Sequence, residues 1–472
     1  MSRPSVVVIG GGIAGLAAAW ELTGAAEGPS AETPRVEVIE ASTVGGTLAT
    51  ATFAGRTIDV GPDGFLARRP EAIELITEMG LADQLVDIAA SGASIYLREA
   101  LYEIPRGLAL GVPTSRQGVA SLGGLTWRSR LGVLRDQWLP ARLKVGEDIA
   151  IGDIVRTKLG RELAYQVVEP MVGGIQAGRI DHLSARSLFP ALYEAARAGG
   201  SLTRALATPA ATPATAPPAP LFATLRGGIG SLASRLGERL AERDVAVRRA
   251  TPVLALRQST HGARRYDVDT ADTTTAADAV ILATPGAVAG ALAGALDPAL
   301  AALSEIRSAS VAMITLALTR GELELSFPGT GVLVPLATPW HGADSMLTTA
   351  ITLLERKWPH LVEDDEIVRV HVGRSDEVRF AAMSDADLVA RVVAELNMIL
   401  GSFPTPNAWL VRRFPNSLPQ YEVGHQALVD AAKTAAARRH LALAGNAYDG
   451  VGIPASIGSG RRAAREVLAA LT

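Results

Sequence analysis

The stretch Val6-Val7-Val8-Ile9-Gly10-Gly11-Gly12-Ile13-Ala14-Gly15-Leu16-Ala17-Ala18-Ala19 constrains this chain more than any other, because it passes from a buried strand to a helix through glycines. Four β-branched apolar residues in a row suit a central parallel strand covered on both faces. Gly10, Gly12 and Gly15 then fall at the G-x-G-x-x-G spacing. The first permits a tight turn, the second lets the backbone approach a pyrophosphate, and the third lets helix and strand pack closely. Gly11, Ile13 and Ala14 share this cradle. The helix that follows aims its N–H groups and positive dipole end at the phosphates.

A second strand, Arg35-Val36-Glu37-Val38-Ile39-Glu40, ends in an acid just before Ala41. A carboxylate there reaches the adenosine ribose hydroxyls and repels a 2′-phosphate, which favours FAD or NAD over NADP. The small-residue loop that follows, with Gly45, Gly46, Thr47 and Leu48, runs beside the phosphates and ribityl chain. An NAD enzyme has no need of it, so FAD is the expected cofactor. Next, Ile58-Asp59-Val60-Gly61-Pro62-Asp63-Gly64-Phe65 leaves a short strand into a turn whose bare backbone can lie against a flat ring.

At 472 residues the chain exceeds one ordinary core, so two or three domains are expected. A formal net charge of -3 leaves no basic footprint for nucleic acid. Almost all positive charge is arginine, which suits bidentate carboxylate and phosphate contacts, although codon bias accounts for it equally well. The absence of cysteine excludes disulfides, thiolate metal sites, a cysteine nucleophile and flavin attachment through sulfur, so a flavin is held non-covalently. The N-terminal apolar run is broken by glycines and lacks a basic leader, so it reads as mature structure. No apolar stretch approaches the roughly 20 residues that span a bilayer; peripheral membrane contact stays open. No metal is expected: His341, His360 and His371 are scattered, and Glu363-Asp364-Asp365-Glu366 reads as a solvated loop.

From about Ser115 to Thr203 the pattern is helical, and Trp127 and Trp138 are expected in its core rather than at a lipid surface. Residues 208–220 form a Pro/Ala-rich tract that reads as a mobile loop or linker. Leu225 to Leu232 is a glycine turn opening a helix through Leu240. Strands are expected near Val245–Arg248 and Pro252–Arg257 and at Ala279–Leu282, then at Ala309–Leu318, Val332–Leu336, Met346–Ile351 and Ile367–Val372, with a helix from Ser384 to Leu400. The closing segment Leu443-Ala444-Gly445-Asn446-Ala447-Tyr448-Asp449-Gly450-Val451-Gly452-Ile453-Pro454 passes from strand through a small-residue turn to a helix that Pro454 can begin.

These segments resemble the FAD-dependent protoporphyrinogen and coproporphyrinogen oxidases, within the flavin amine oxidase superfamily. Tyr102–Gly107, Leu110–Thr114 and the tract Arg413-Phe414-Pro415-Asn416-Ser417-Leu418-Pro419-Gln420-Tyr421-Glu422-Val423-Gly424-His425 also match that family. The resemblance implies an α/β fold with a discontinuous Rossmann-like FAD-binding domain (1–75, 221–295 and 430–472), a mixed-sheet substrate domain (76–114 and 296–429) and a helical subdomain (115–207). It adds Val253 at the adenine, Phe414 over the flavin, and Gly445, Asn446, Val451, Gly452 and Ile453 at the flavin's pyrimidine edge. On the substrate side it implies Arg68, Arg69 and Arg106 for propionates, with Gly228, Gln420 and Tyr421. Phe414 stands where many relatives carry tryptophan, and Thr47 replaces a common basic residue.

The implied activity is six-electron oxidation of a porphyrinogen to a porphyrin, with O2 as acceptor and H2O2 released, in haem biosynthesis. No catalytic acid or base is singled out, because aromatisation drives the loss of protons. Coproporphyrinogen III is favoured as substrate for a chain with neither membrane segment nor organelle leader, with a cytoplasmic location and product hand-over to a ferrochelatase. Protoporphyrinogen IX oxidation, amine oxidation and porphyrin binding without turnover are the alternatives.

Overall fold

A computed structural model describes residues 3–28, 30, 33–90, 92–138, 143–207, 220–260, 264–325, 327–342 and 344–472. Residues 208–219 of the Pro/Ala-rich tract lie outside the described residues. The chain forms two compact units, one of Met1–Asp87, Ala219–Arg307 and Gln426–Thr472, the other of Ile88–Pro218 and Ser308–His425.

The first unit is built on a parallel sheet of β1 (Ser5–Ile9), β2 (Arg35–Ile39), β3 (Ala246–Arg248), β4 (Ala279–Leu282) and β5 (Leu441–Leu443), in the order β3-β2-β1-β4-β5. All of β1 is buried, as a strand covered on both faces requires. Val6 and Val8 face a core shared with α1 (Ile13–Leu22), α2 (Gly230–Ala241) and α3 (Ile453–Leu471). Val7 and Ile9 face a second core with Val280, Leu282, Val429 and Ala432. Beside the sheet, the strand expected from Pro252 begins at Ala255. Pro252 has no N–H to extend the ladder, so Val253 precedes the strand.

The second unit holds a seven-stranded mixed sheet, in the order Ala408–Pro419, Ser308–Thr319, Asp365–Val372, Thr348–Leu353, Gly331–Leu333, Ser94–Leu97, Ala100–Glu103. Only Gly331–Leu333 and Ser94–Leu97 pair in parallel. Ile314, Leu316, Val368 and Val370 pack one face against Leu388, Val392 and Leu396 of the helix Asp385–Leu400, which Ser384 caps through the Asp387 amide. The helical stretch of this unit packs around Ile151, Val155, Leu163, Val168 and Leu192.

The strand expected over Val332–Leu336 stops at Leu333, just before Pro335, and the next begins at Thr348 rather than Met346. The acidic run is not wholly a solvated loop: Asp365 opens a strand, and the Arg320 guanidinium binds the Glu363 and Asp365 carbonyls. Trp127 and Trp138 are 66% and 69% exposed, outside the core. The helix Trp127–Asp136 buries Val133 and Asp136 instead, which turns Trp127 outward.

Candidate functional site

The turn from β1 to α1 needs its glycines for separate reasons. Gly10 has φ 110°, and a Cβ there would strike the Ala283 carbonyl. A Cβ on Gly15 would strike the Gly10 carbonyl, so helix and strand close up only without one. Gly12 differs: its φ of -69° suits any residue, and a Cβ there would meet nothing within 4 Å. The N-terminus of α1 therefore faces open space, with no side-chain cap and no acid in its first turn. A helix N-terminus without a side-chain cap is what a pyrophosphate requires.

Glu40 is locked beside this opening. Its Oε2 accepts the Gly11 N–H at 2.6 Å and its Oε1 the Ser42 N–H at 2.7 Å. The Gly45 N–H donates to the Gly11 carbonyl at 2.8 Å, laying the second glycine loop along the first. Ala41, Gly46 and Thr47 are exposed while Gly45 and Leu48 are buried. The Thr251 N–H donates to the Glu40 carbonyl at 2.9 Å, which brings the half-buried Val253 segment to the end of β2. Gly61 is buried, and Pro62, Asp63 and Gly64 are half-buried.

At the other end of the chain, Gly445 to Gly452 form the turn into α3, which has no side-chain cap and carries Pro454 in its first turn. Asp449 organises this turn. Its carboxylate accepts from Lys433 Nζ at 2.5 Å, from Arg462 at 2.7 Å and from the Ser459 hydroxyl, whose oxygen in turn accepts the Gly445 N–H at 3.0 Å. Arg462 also binds the Leu443 carbonyl at the end of β5, at 2.7 Å. Asn446, Val451, Gly452 and Ile453 therefore sit on a turn tied to one carboxylate. Burial works to raise the Asp449 pKa, but the bonds from Lys433, Ser459 and Arg462 overcome it and hold the group below its ordinary range.

The depressed carboxyl has a sign. Its stabilisation is complete above the unfolded value of about 3.9 and is lost as pH falls through the folded pKa. Asp449→Asn is expected to cost about 2 kcal/mol at neutral pH, from charge-assisted bonds made neutral. The gap from the parent should close in acid, as urea unfolding across a pH series would record. Sequence reasoning missed this hub, because nothing in the order of residues ties Lys433 to Asp449.

The substrate-side residues of the first unit are less assembled. Arg68 is exposed, and Arg69, also exposed, pairs with Glu71 at 2.7 Å. Gly228 lies in the turn before α2, against Thr50 and the Asp59 carboxylate, which accepts the Ile229 and Gly230 N–H groups, each at 2.9 Å. Sequence reasoning missed the role of Asp59 also.

In the second unit, Arg106 is exposed and makes no ion pair among the described residues. Phe414 is buried opposite Val311, with the Arg412 guanidinium 5.7 Å from its ring. Gln420 Nε2 donates to the Gln176 carbonyl at 2.8 Å, and Tyr421 stacks on His425 at 3.9 Å. The Ser184 N–H donates to the Tyr421 carbonyl at 2.8 Å, so this tract is sewn onto residues 176–184.

The same unit holds a fully buried ion pair that the sequence did not reveal. Arg374 donates to Glu169 Oε1 at 2.6 Å and to the Val334 carbonyl at 3.0 Å, and both side chains are 2% exposed. Burial raises the Glu169 pKa, and the Arg374 guanidinium opposes the rise.

A parallel sheet with an open glycine cradle, an acid locked beside it and a second helix N-terminus from the far end of the chain defines a fold of the dinucleotide-binding class. Comparison with known proteins narrows the class. Residues 13–468 match the model of the flavin containing amine oxidoreductases; the chain belongs to that family, is an oxidoreductase and uses FAD. It is 30% identical to the coproporphyrinogen III oxidase of Bacillus subtilis (strain 168), over 99% of this chain and 98% of that protein. It is also 30% identical to the protoporphyrinogen oxidase of Bos taurus, over 98% of each. A crystal structure from Exiguobacterium sp. 255-15 superposes with a TM-score of 0.86 at 30% identity, covering all of both chains.

Proposed function

We propose that this chain oxidises coproporphyrinogen III to coproporphyrin III, passing six electrons in three two-electron turns to O2 and releasing three H2O2. The observation that carries the reading is the end-to-end similarity to the Bacillus coproporphyrinogen III oxidase, joined to the open cradle at Gly12. FAD supplies the two-electron acceptor.

The chain's own residues do the holding. Gly10 to Gly15 and the α1 amides take the pyrophosphate, Glu40 the ribose hydroxyls, Val253 the adenine, Gly45 to Leu48 the phosphates and ribityl chain, and Gly61 to Gly64 the flat ring. The uncapped N-terminus of α3 presents the Val451, Gly452 and Ile453 backbone toward negative charge at the pyrimidine edge. Arg68, Arg69 and Arg106 bind propionates by charge-assisted hydrogen bonds, Gly228, Gln420 and Tyr421 take the substrate, and Phe414 lies over the flavin. On this reading the discontinuous 1–75, 221–295 and 430–472 portion is the FAD domain, and the protein works in the cytoplasm and passes its photoreactive product to a ferrochelatase.

The test is anaerobic mixing of the FAD-loaded protein with coproporphyrinogen III, protoporphyrinogen IX and a polyamine in separate runs. Flavin absorbance should bleach fastest with coproporphyrinogen III. Faster bleaching by protoporphyrinogen IX would move the substrate, bleaching by the polyamine alone would make the chain an amine oxidase, and bleaching by none would leave a flavoprotein that binds without turnover.

A further inference from the structure

The seven-stranded sheet of the second unit has two unlike faces. On one, the cross-strand row Val411, Ile314, Val370, Ile351 and Val332 packs in the same core as the helix Asp385–Leu400, and all but Val411 are buried. Arg413 also belongs to this face, where it donates to the Phe380 carbonyl and to the Asp385 carboxylate, each at 2.7 Å.

Side chains alternate along a strand, so the adjoining row of Arg412, Met313, His371, Ala350 and Leu333 projects from the opposite face. Here Met313, His371, Ala350 and Leu333 are only half-buried, and Arg412 is exposed. Neighbouring strands lie ~4.8 Å apart, so a row crossing five strands runs about 19 Å. It is apolar apart from His371 near its middle and Arg412 at its end. Phe414 follows two residues along the strand on the same face, with the Arg412 guanidinium 5.7 Å from its ring. That guanidinium makes no hydrogen bond or ion pair among the described residues. An unpaired guanidinium at the end of a flat apolar row suits a carboxylate carried by a flat ligand.

We infer that this row floors the porphyrinogen slot and that Arg412 binds a propionate present on coproporphyrinogen III and absent from protoporphyrinogen IX. The first substrate carries four propionates and the second two. Arg68, Arg69 and Arg106 leave one of the four without a cation, and Arg412 supplies it. The inference deepens the proposed function and rests on it.

The FAD-loaded protein, Arg412→Gln and Arg412→Lys are compared in aerobic turnover of both porphyrinogens and in binding of coproporphyrin III, followed by fluorescence quenching. In Arg412→Gln the ratio of kcat/KM for coproporphyrinogen III to that for protoporphyrinogen IX should fall about tenfold, through KM rather than kcat. Coproporphyrin III binding should weaken by a similar factor. Arg412→Lys should recover part of both losses, since it keeps the charge without the planar fork. Flavin absorbance and circular dichroism report whether each variant keeps its fold and cofactor. If the parent turns over coproporphyrinogen III while Arg412→Gln keeps both the ratio and the binding, this inference alone is overturned and Arg412 is an edge-strand charge that discourages pairing with another chain. An equal loss with both substrates would likewise remove Arg412 from substrate choice. A parent inactive toward coproporphyrinogen III would overturn the proposed function and this inference with it.

Discussion

Replacing Arg374 with methionine is expected to destabilise the second unit by roughly 3–5 kcal/mol, because it leaves the Glu169 carboxylate buried without its counter-charge. Glu169 is 2% exposed, and its ion pair is made through Oε1. The effect carries a pH signature. With the guanidinium gone, the largest influence opposing burial is lost and the folded pKa of Glu169 rises further above the unfolded value of about 4.3. An acid with a raised folded pKa is tolerated while protonated, so the deficit is smallest in acid and reaches its full size as pH climbs through the folded pKa. Combining Arg374→Met with Glu169→Leu should recover most of the loss, since an apolar pair avoids the desolvation of two charges. Urea unfolding of the two single variants and the double variant completes the cycle. A single Arg374→Met protein as stable as its parent would show that the pair contributes nothing.

The second large effect is on cofactor affinity. Gly12→Val should leave the fold nearly intact, because φ -69° and ψ 174° are extended backbone and the added Cβ meets nothing within 4 Å. The methyl groups would occupy the space where phosphate must approach the α1 amides. Overpacking of that kind costs about 1–3 kcal/mol, so FAD binding should weaken roughly 5- to 150-fold. Gly15→Val is the contrasting variant, whose Cβ would strike the Gly10 carbonyl and so destabilise the sheet itself. Titrating FAD into each apoprotein while following thermal unfolding separates the two. Undiminished FAD affinity in Gly12→Val would remove the cradle from the cofactor site.

These two variants also mark where sequence was readable. The β1 strand, the fingerprint and Glu40 lie within 35 positions, and their meaning rests on local chemistry: β-branched residues for a strand covered on both sides, glycines where backbone must pass backbone, an acid at a strand end. The closing turn was readable for the same reason. Glu169 and Arg374 are 205 positions apart, and neither neighbourhood names the other. Asp449 likewise acts through Lys433 and Arg462 on two different helices. Trp127 and Trp138 were misplaced because apolar residues at helical spacing signal a buried face only when something covers it. The ends of strands failed at Pro252 and Pro335, where the missing amide outweighed the apolar run around it.

The order of the first unit's sheet bears on synthesis. β5 enters at Leu441–Leu443 and closes the outer edge of β4. At ordinary elongation rates the ribosome needs on the order of 10–30 s to make the chain between them. During that interval the nascent sheet shows a fully buried-type edge, Ala279–Leu282, with open amides and carbonyls. Premature termination before Leu441 would therefore yield a sticky, self-templating fragment rather than a weaker enzyme.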